Sequence, residues 1–228
     1  MKITIDPRPS AFIRGSITPD FPGVLAVNLN EIEKTLDFWF GVCGADGSLD
    51  PAKQKMWFGE GRKHDAGIRK QFGALHERAA RGELDREWAA SARGRLALIV
   101  VLDQFSRHIH RDTPAAFAQD PAAQRLAVEG IDLGMDRQLH PAQRAFFYLP
   151  LEHAEDVELQ RLCVRCFDGL ARTVAPAWRK DYDGFLDYAQ RHRDIIERFG
   201  RFPHRNAALG RVSTPAEKKF LKQPGSTF

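Results

Sequence analysis

The sequence predicts an all-α fold. Three observations carry this. Apolar residues recur at helical spacing from Asn30 almost to the C-terminal end, no strand-length stretch alternates apolar with polar, and caps, prolines and glycines punctuate the pattern. Roughly eight to ten helices are expected, stacked as antiparallel hairpins with short connections.

Residues 1–29 hold Pro7, Pro9, Pro19 and Pro22 and no helical period, so they read as an extended arm before a single all-helical domain over 30–228. Asn30 with Glu33 forms a capping pair ahead of Leu36, Trp39 and Phe40. Asp50-Pro51 sets a cap before proline at the first helical position, opening a short helix with Met56, Trp57 and Phe58. Residues 62–81 carry Ile68, Phe72, Leu75 and Ala79 on one face, and Gly82 stops the helix.

The next helix runs from Arg93 to His110. Its first half is apolar on every face, which marks it as central. Asp120-Pro121 and His140-Pro141 open two more, the first ending at Gly134. In the second, Pro150 is expected to break or kink the helix. Helices over about 155–174 and 182–199 follow, the latter closed by Gly200. Thr214-Pro215-Ala216-Glu217 is a capping box for a last short helix.

At 228 residues the chain can bury a core without disulfide or metal, and three cysteines, an odd number, argue against a disulfide framework and for a reducing compartment. Net charge is +4, with arginines dispersed beside acids rather than in blocks. A nucleic-acid partner is not expected; an anionic ligand is. The longest apolar run, Leu96 to Leu102, falls far short of the ~20 residues that span a bilayer. With no apolar signal core at Met1–Pro7, the expectation is a cytoplasmic protein with no membrane contact.

Three segments could carry chemistry. In the first, Asp103 and Arg107 lie one turn apart beside Gln104, reading either as a pocket wall or as a structural ion pair. In the second, His153 precedes Glu155 and Asp156, acids that also suit a helix start. Its spacing is not the zinc-protease pattern, and no metal ligand or cofactor is assigned. In the third, Arg201, His204, Arg205 and Asn206 crowd a short loop after Gly200, where arginine forks could take carboxylate or phosphate. Cys163-Val164-Arg165-Cys166 is a lone C-x-x-C inside a helix and is read as buried. His192 is read as a hydrogen-bonded core residue.

Several stretches resemble one known family. They are Leu36-Asp37-Phe38-Trp39-Phe40-Gly41, Gly94 to Ile99 continuing through Asp103-Gln104-Phe105-Ser106-Arg107, Tyr148-Leu149-Pro150-Leu151-Glu152-His153-Ala154-Glu155-Asp156, Arg198 to Asn206, and the ending Pro224-Gly225-Ser226-Thr227-Phe228. Over about residues 30–228 they resemble the bacterial domain-of-unknown-function family 924. The resemblance implies a tetratricopeptide-like superhelix of helix pairs and brings no activity. Ser106 stands where that pattern usually has proline, and Ala154 where it has serine.

Two functions follow as expectations. One is a small anionic-ligand or hydrolytic site, with Asp103, Gln104, Arg107, Arg201, Arg205 and Asn206 binding and with His153, Glu155 and His204 catalytic. It requires the three segments to meet in space. The alternative is a tetratricopeptide-like module that holds a protein or peptide without catalysis. A purely structural polar network is the remaining reading.

Overall fold

The computed structural model describes residues 22–44 and 48–226, with backbone alone for 22–29. The architecture is all-helical, with no strand among the described residues. In order the helices are α1 (Pro22–Phe40), α2 (Pro51–Phe58), α3 (Gly61–Ala80), α4 (Asp85–Trp88), α5 (Ala92–Ile99), α6 (Ser106–Ile109), α7 (Asp120–Asp132), α8 (Pro141–Glu152), α9 (Val157–Thr173), α10 (Arg179–Phe199) and α11 (Pro215–Phe220). A π-helical segment, Val100–Phe105, joins α5 to α6, so residues 92–109 form one continuous helix. Counted that way, the described residues hold ten helices.

The central helix is the one the sequence marked. Gly94 to Val101 are all buried, and the run packs against α1, α3, α7 and α8. Ser91 caps it by accepting from Gly94 N–H at 3.1 Å. A side chain at Gly94 would meet the Trp88 carbonyl at 2.3 Å, so only glycine lets the preceding turn lie this close. Arg95 is buried inside this apolar run with both terminal nitrogens paired: it donates to the Leu126 and Ala89 carbonyls at 2.9 and 3.1 Å and reaches Glu129.

The terminators act largely as expected. Asp50 accepts from Ala52 N–H at 2.8 Å and Thr214 forms the capping box with Glu217. Gly82, Gly134 and Gly200 adopt left-handed backbone past their helices. His140 itself supplies a cap, its Nδ1 accepting from Ala142 N–H at 3.2 Å. The three cysteines are free, Cys163 fully buried.

Two expectations change. The first helix starts at Pro22, not Asn30, because proline fits the first helical position and Asn30 lies within the helix rather than capping it. The expected arm therefore keeps only residues 1–21, which lie outside the described residues. Pro150 does not break α8. It occupies the last turn, and the helix continues through it to Glu152. No helix among the described residues is long and apolar enough to cross a membrane.

Candidate functional site

The three polar segments converge. The π segment delivers Asp103 with no exposed surface. The C-terminal end of α8 delivers His153, whose Nδ1 is 2.8 Å from Asp103 Oδ1. Arg107, one turn beyond, reaches the same oxygen at 3.1 Å and donates to the Asp103 carbonyl at 2.8 Å. Gln104 donates to Asp103 Oδ2 at 2.5 Å. Burial alone would raise the Asp103 carboxyl. The charge of Arg107 and the His153 and Gln104 donors outweigh it and hold the group well below the usual carboxylate range.

An ionised Asp103 can only accept, so the proton sits on His153 Nδ1 and the lone pair on Nε2. Burial first, then the Arg107 charge, lower the His153 pKa and keep the ring neutral near pH 7. No side chain among the described residues is hydrogen-bonded to Nε2.

Asp120 joins the second cation. Its carboxylate accepts from Arg107 at 3.0 and 3.3 Å and from Arg205 Nη1 at 3.3 Å. The 3-10 turn Pro203–Arg205 swings Arg205 inward, where its guanidinium lies 4.7 Å from the Phe117 ring and 4.5 Å from the Phe202 ring. Burial and the neighbouring Arg107 lower Arg205 to about 10. Its buried Nε finds no hydrogen-bond partner among the described residues.

His204 is half-buried beside this centre. Its ring is pushed down to about 4 by burial and then by the charge of Arg205. Glu152 is also buried, raised to about 8 by burial and then by Asp103, so it is a neutral acid at pH 7. His192 lies 3.6 Å from Glu152 and donates through Nδ1 to the Tyr188 carbonyl at 2.8 Å, the core role its sequence position indicated.

Other expected site residues do different work. Glu155 faces Arg211, accepting at 2.6 and 2.8 Å, and takes the Phe202 N–H at 2.8 Å. It fastens the C-terminal segment and does not orient His153. Arg201 grips Glu217 at 2.6 and 2.9 Å and the Val212 carbonyl, and makes no hydrogen bond to the centre. Asn206 donates to Ser213 at 3.0 Å. Glu155 thus ties residues 202–211 to the start of α9, whereas Arg201 and Asn206 brace the segment 200–217 internally.

The sequence reading missed Asp120, Glu152, Phe117 and Arg211. Asp120 stands before a proline and looks like a cap, yet the capping position falls on Gln119 and the carboxylate turns to the arginines. Nothing local marks that difference. Among the described residues no group of three or more His, Cys, Asp or Glu is arranged to hold a metal.

The chain is similar to a solved structure of a protein of unknown function from Agrobacterium tumefaciens, with 36% identity and a TM-score of 0.71 over 86% of this chain and 98% of that one. No curated protein matches it. The family described as bacterial protein of unknown function (DUF924) matches residues 35–225, which include every residue of the polar centre, and the chain belongs to that family.

Proposed function

We propose that the polar centre is a small-anion site in which His153 acts as a general base. The observation that carries this reading is the Asp103–His153 pair. A fully buried carboxylate fixes the ring tautomer and leaves a neutral Nε2 lone pair uncommitted. Arg107 and Arg205 supply positive charge beside it, already oriented by Asp120 and by stacking on Phe117. Such a set suits hydrolysis of a small anionic substrate: the guanidiniums hold the anion and Nε2 takes a proton from an attacking water. Gln104 supports the dyad through Asp103, and His204 lines it.

Thermal-shift titration with short carboxylates and phosphate esters tests this, using His153→Asn as the control. Asparagine can still donate to Asp103, so the fold is retained while the base is gone. The reading requires an anion that stabilises both proteins and is turned over only by the one with His153. If no anion stabilises either protein, the centre is a structural network.

A further inference from the structure

The opposite side of the same helical wall lines a second cleft. Asp103 and Arg107 face the polar centre, whereas Ser106, Ile109 and His110 face α3. Between them opens a cavity of about 570 Å³ walled mainly by Arg69, His76, Glu77, His110, Arg111 and Thr113. That volume suits a small metabolite.

The hydrogen bonds fix what this cleft offers. Ser106 Oγ gives its only proton to the Leu102 carbonyl at 2.5 Å, so it accepts from His76, 2.7 Å away. His76 therefore carries its proton on Nε2 and presents a bare Nδ1. Burial first, and then the His110 charge, lower the His76 pKa and keep it neutral. The His110 ring stands 5.2 Å from it, and no described residue hydrogen-bonds its nitrogens. Arg69 is anchored by one terminal nitrogen on the Ile109 carbonyl, leaving Nε and Nη1. Arg111 is anchored on Asp65 at 2.5 and 2.7 Å, leaving Nη1. Asp65 is consumed by Arg111 and His108, so Glu77 is the one carboxylate lining the cleft.

The cleft is thus rich in held donors and has one fixed ring acceptor. A carboxylate or sulfate would satisfy the arginines and leave Nδ1 facing acceptor oxygens. A phosphate group that retains an O–H satisfies both. We propose that this cleft binds the phosphate group of a small phosphorylated molecule, with Arg69, Arg111 and His110 holding its oxygens and His76 Nδ1 accepting its hydroxyl. The site is separate from the His153 centre and does not depend on the function proposed for it.

Histidine-ring NMR on the full chain tests the assignment, with inorganic phosphate and sulfate as probes and His76→Gln and His110→Gln identifying the signals. Phosphate should shift the His76 and His110 signals saturably. Sulfate should bind roughly tenfold more weakly, the factor one lost hydrogen bond carries. Arg69→Met, at an exposed position, should weaken phosphate by a similar factor without changing the His153 signal. Equal affinity for sulfate, indifference to Arg69→Met, or shifts confined to His153 would each overturn the proposal.

Discussion

Asp103 and His153 lie fifty positions apart in the chain and 2.8 Å apart in space, joined by a hydrogen bond whose acceptor has no exposed surface. The same carboxylate holds Arg107, so one buried charge orients a base and compensates a cation. Asp103→Asn keeps the volume and removes that charge. Breaking a buried pair on one side typically costs about 3–5 kcal/mol, because the partner is left uncompensated. Here Asp120 still serves Arg107, so the lower end of that range is expected. Urea unfolding checks it, and a loss of only a few tenths would show that Asp103 is not the keystone of the network.

Arg205 separates structure from binding less cleanly than its place in a loop suggests. It is buried between Phe117 and Phe202 and paired with Asp120. Truncation to alanine therefore removes packing as well as charge, and a loss of about 2–4 kcal/mol is expected. Arg205→Lys keeps the charge but loses the flat stacked fork, with a smaller loss of about 1–2 kcal/mol. Comparing the two melting curves shows how much of the arginine is structural. Equal loss in both would assign its whole contribution to the guanidinium's shape.

The contrast shows what was legible in the chain. Helices announced themselves because their signals are local: periodic apolar faces, Asp50-Pro51, Thr214-Pro215, and glycines past the ends. The polar segments were also visible, since Asp103 ends an apolar run, Arg107 lies one turn on, and His153 and Arg205 sit in clusters of polar residues beside helix ends. Their pairing was not. Whether Glu155 turns to His153 or to Arg211 depends on where residues 200–217 return, a long-range fact with no local mark. Asp120 shows the same limit. Its sequence context fits a cap, and only tertiary packing turns it to Arg107 and Arg205.

Glu152 and His192 give stability opposite pH dependences. Glu152 is raised to about 8 by burial and by Asp103, whereas an unfolded glutamate titrates near about 4.3. Between these values the native state holds a proton the unfolded chain has lost. This contribution is complete below the unfolded value and is lost as pH rises through 8. His192 is lowered to about 3, chiefly by burial, so its contribution is complete above the unfolded value of about 6.5 and is lost as pH falls toward 3. From pH 6.5 to 8 the Glu152 effect should dominate, lowering stability by about 1 kcal/mol per pH unit. Glu152→Gln is isosteric and cannot ionise, so its unfolding free energy should be nearly flat across that window. A slope unchanged by the substitution would show that Glu152 is not the group responsible.

Gly130 sets how closely α7 approaches α5 and α8. A Cβ placed there would lie 2.4 Å from the Phe147 ring and 2.7 Å from Arg95 Cδ. Its backbone is ordinary helix, so alanine gains helix propensity of about 1 kcal/mol and meets a steric conflict at the same time. Phe147 has no exposed surface and cannot swing aside without moving the core. Arg95 is tied to the Leu126 and Ala89 carbonyls, so it cannot retreat without orphaning them. The conflict should win, with a net loss of about 1–3 kcal/mol for Gly130→Ala. Gly67, on an exposed stretch of α3 with nothing within 4 Å of its added Cβ, is the control. Gly67→Ala should stabilise by a few tenths to about 1 kcal/mol. Paired thermal melts decide it: stabilisation by both substitutions would mean that α7 can move away from Phe147.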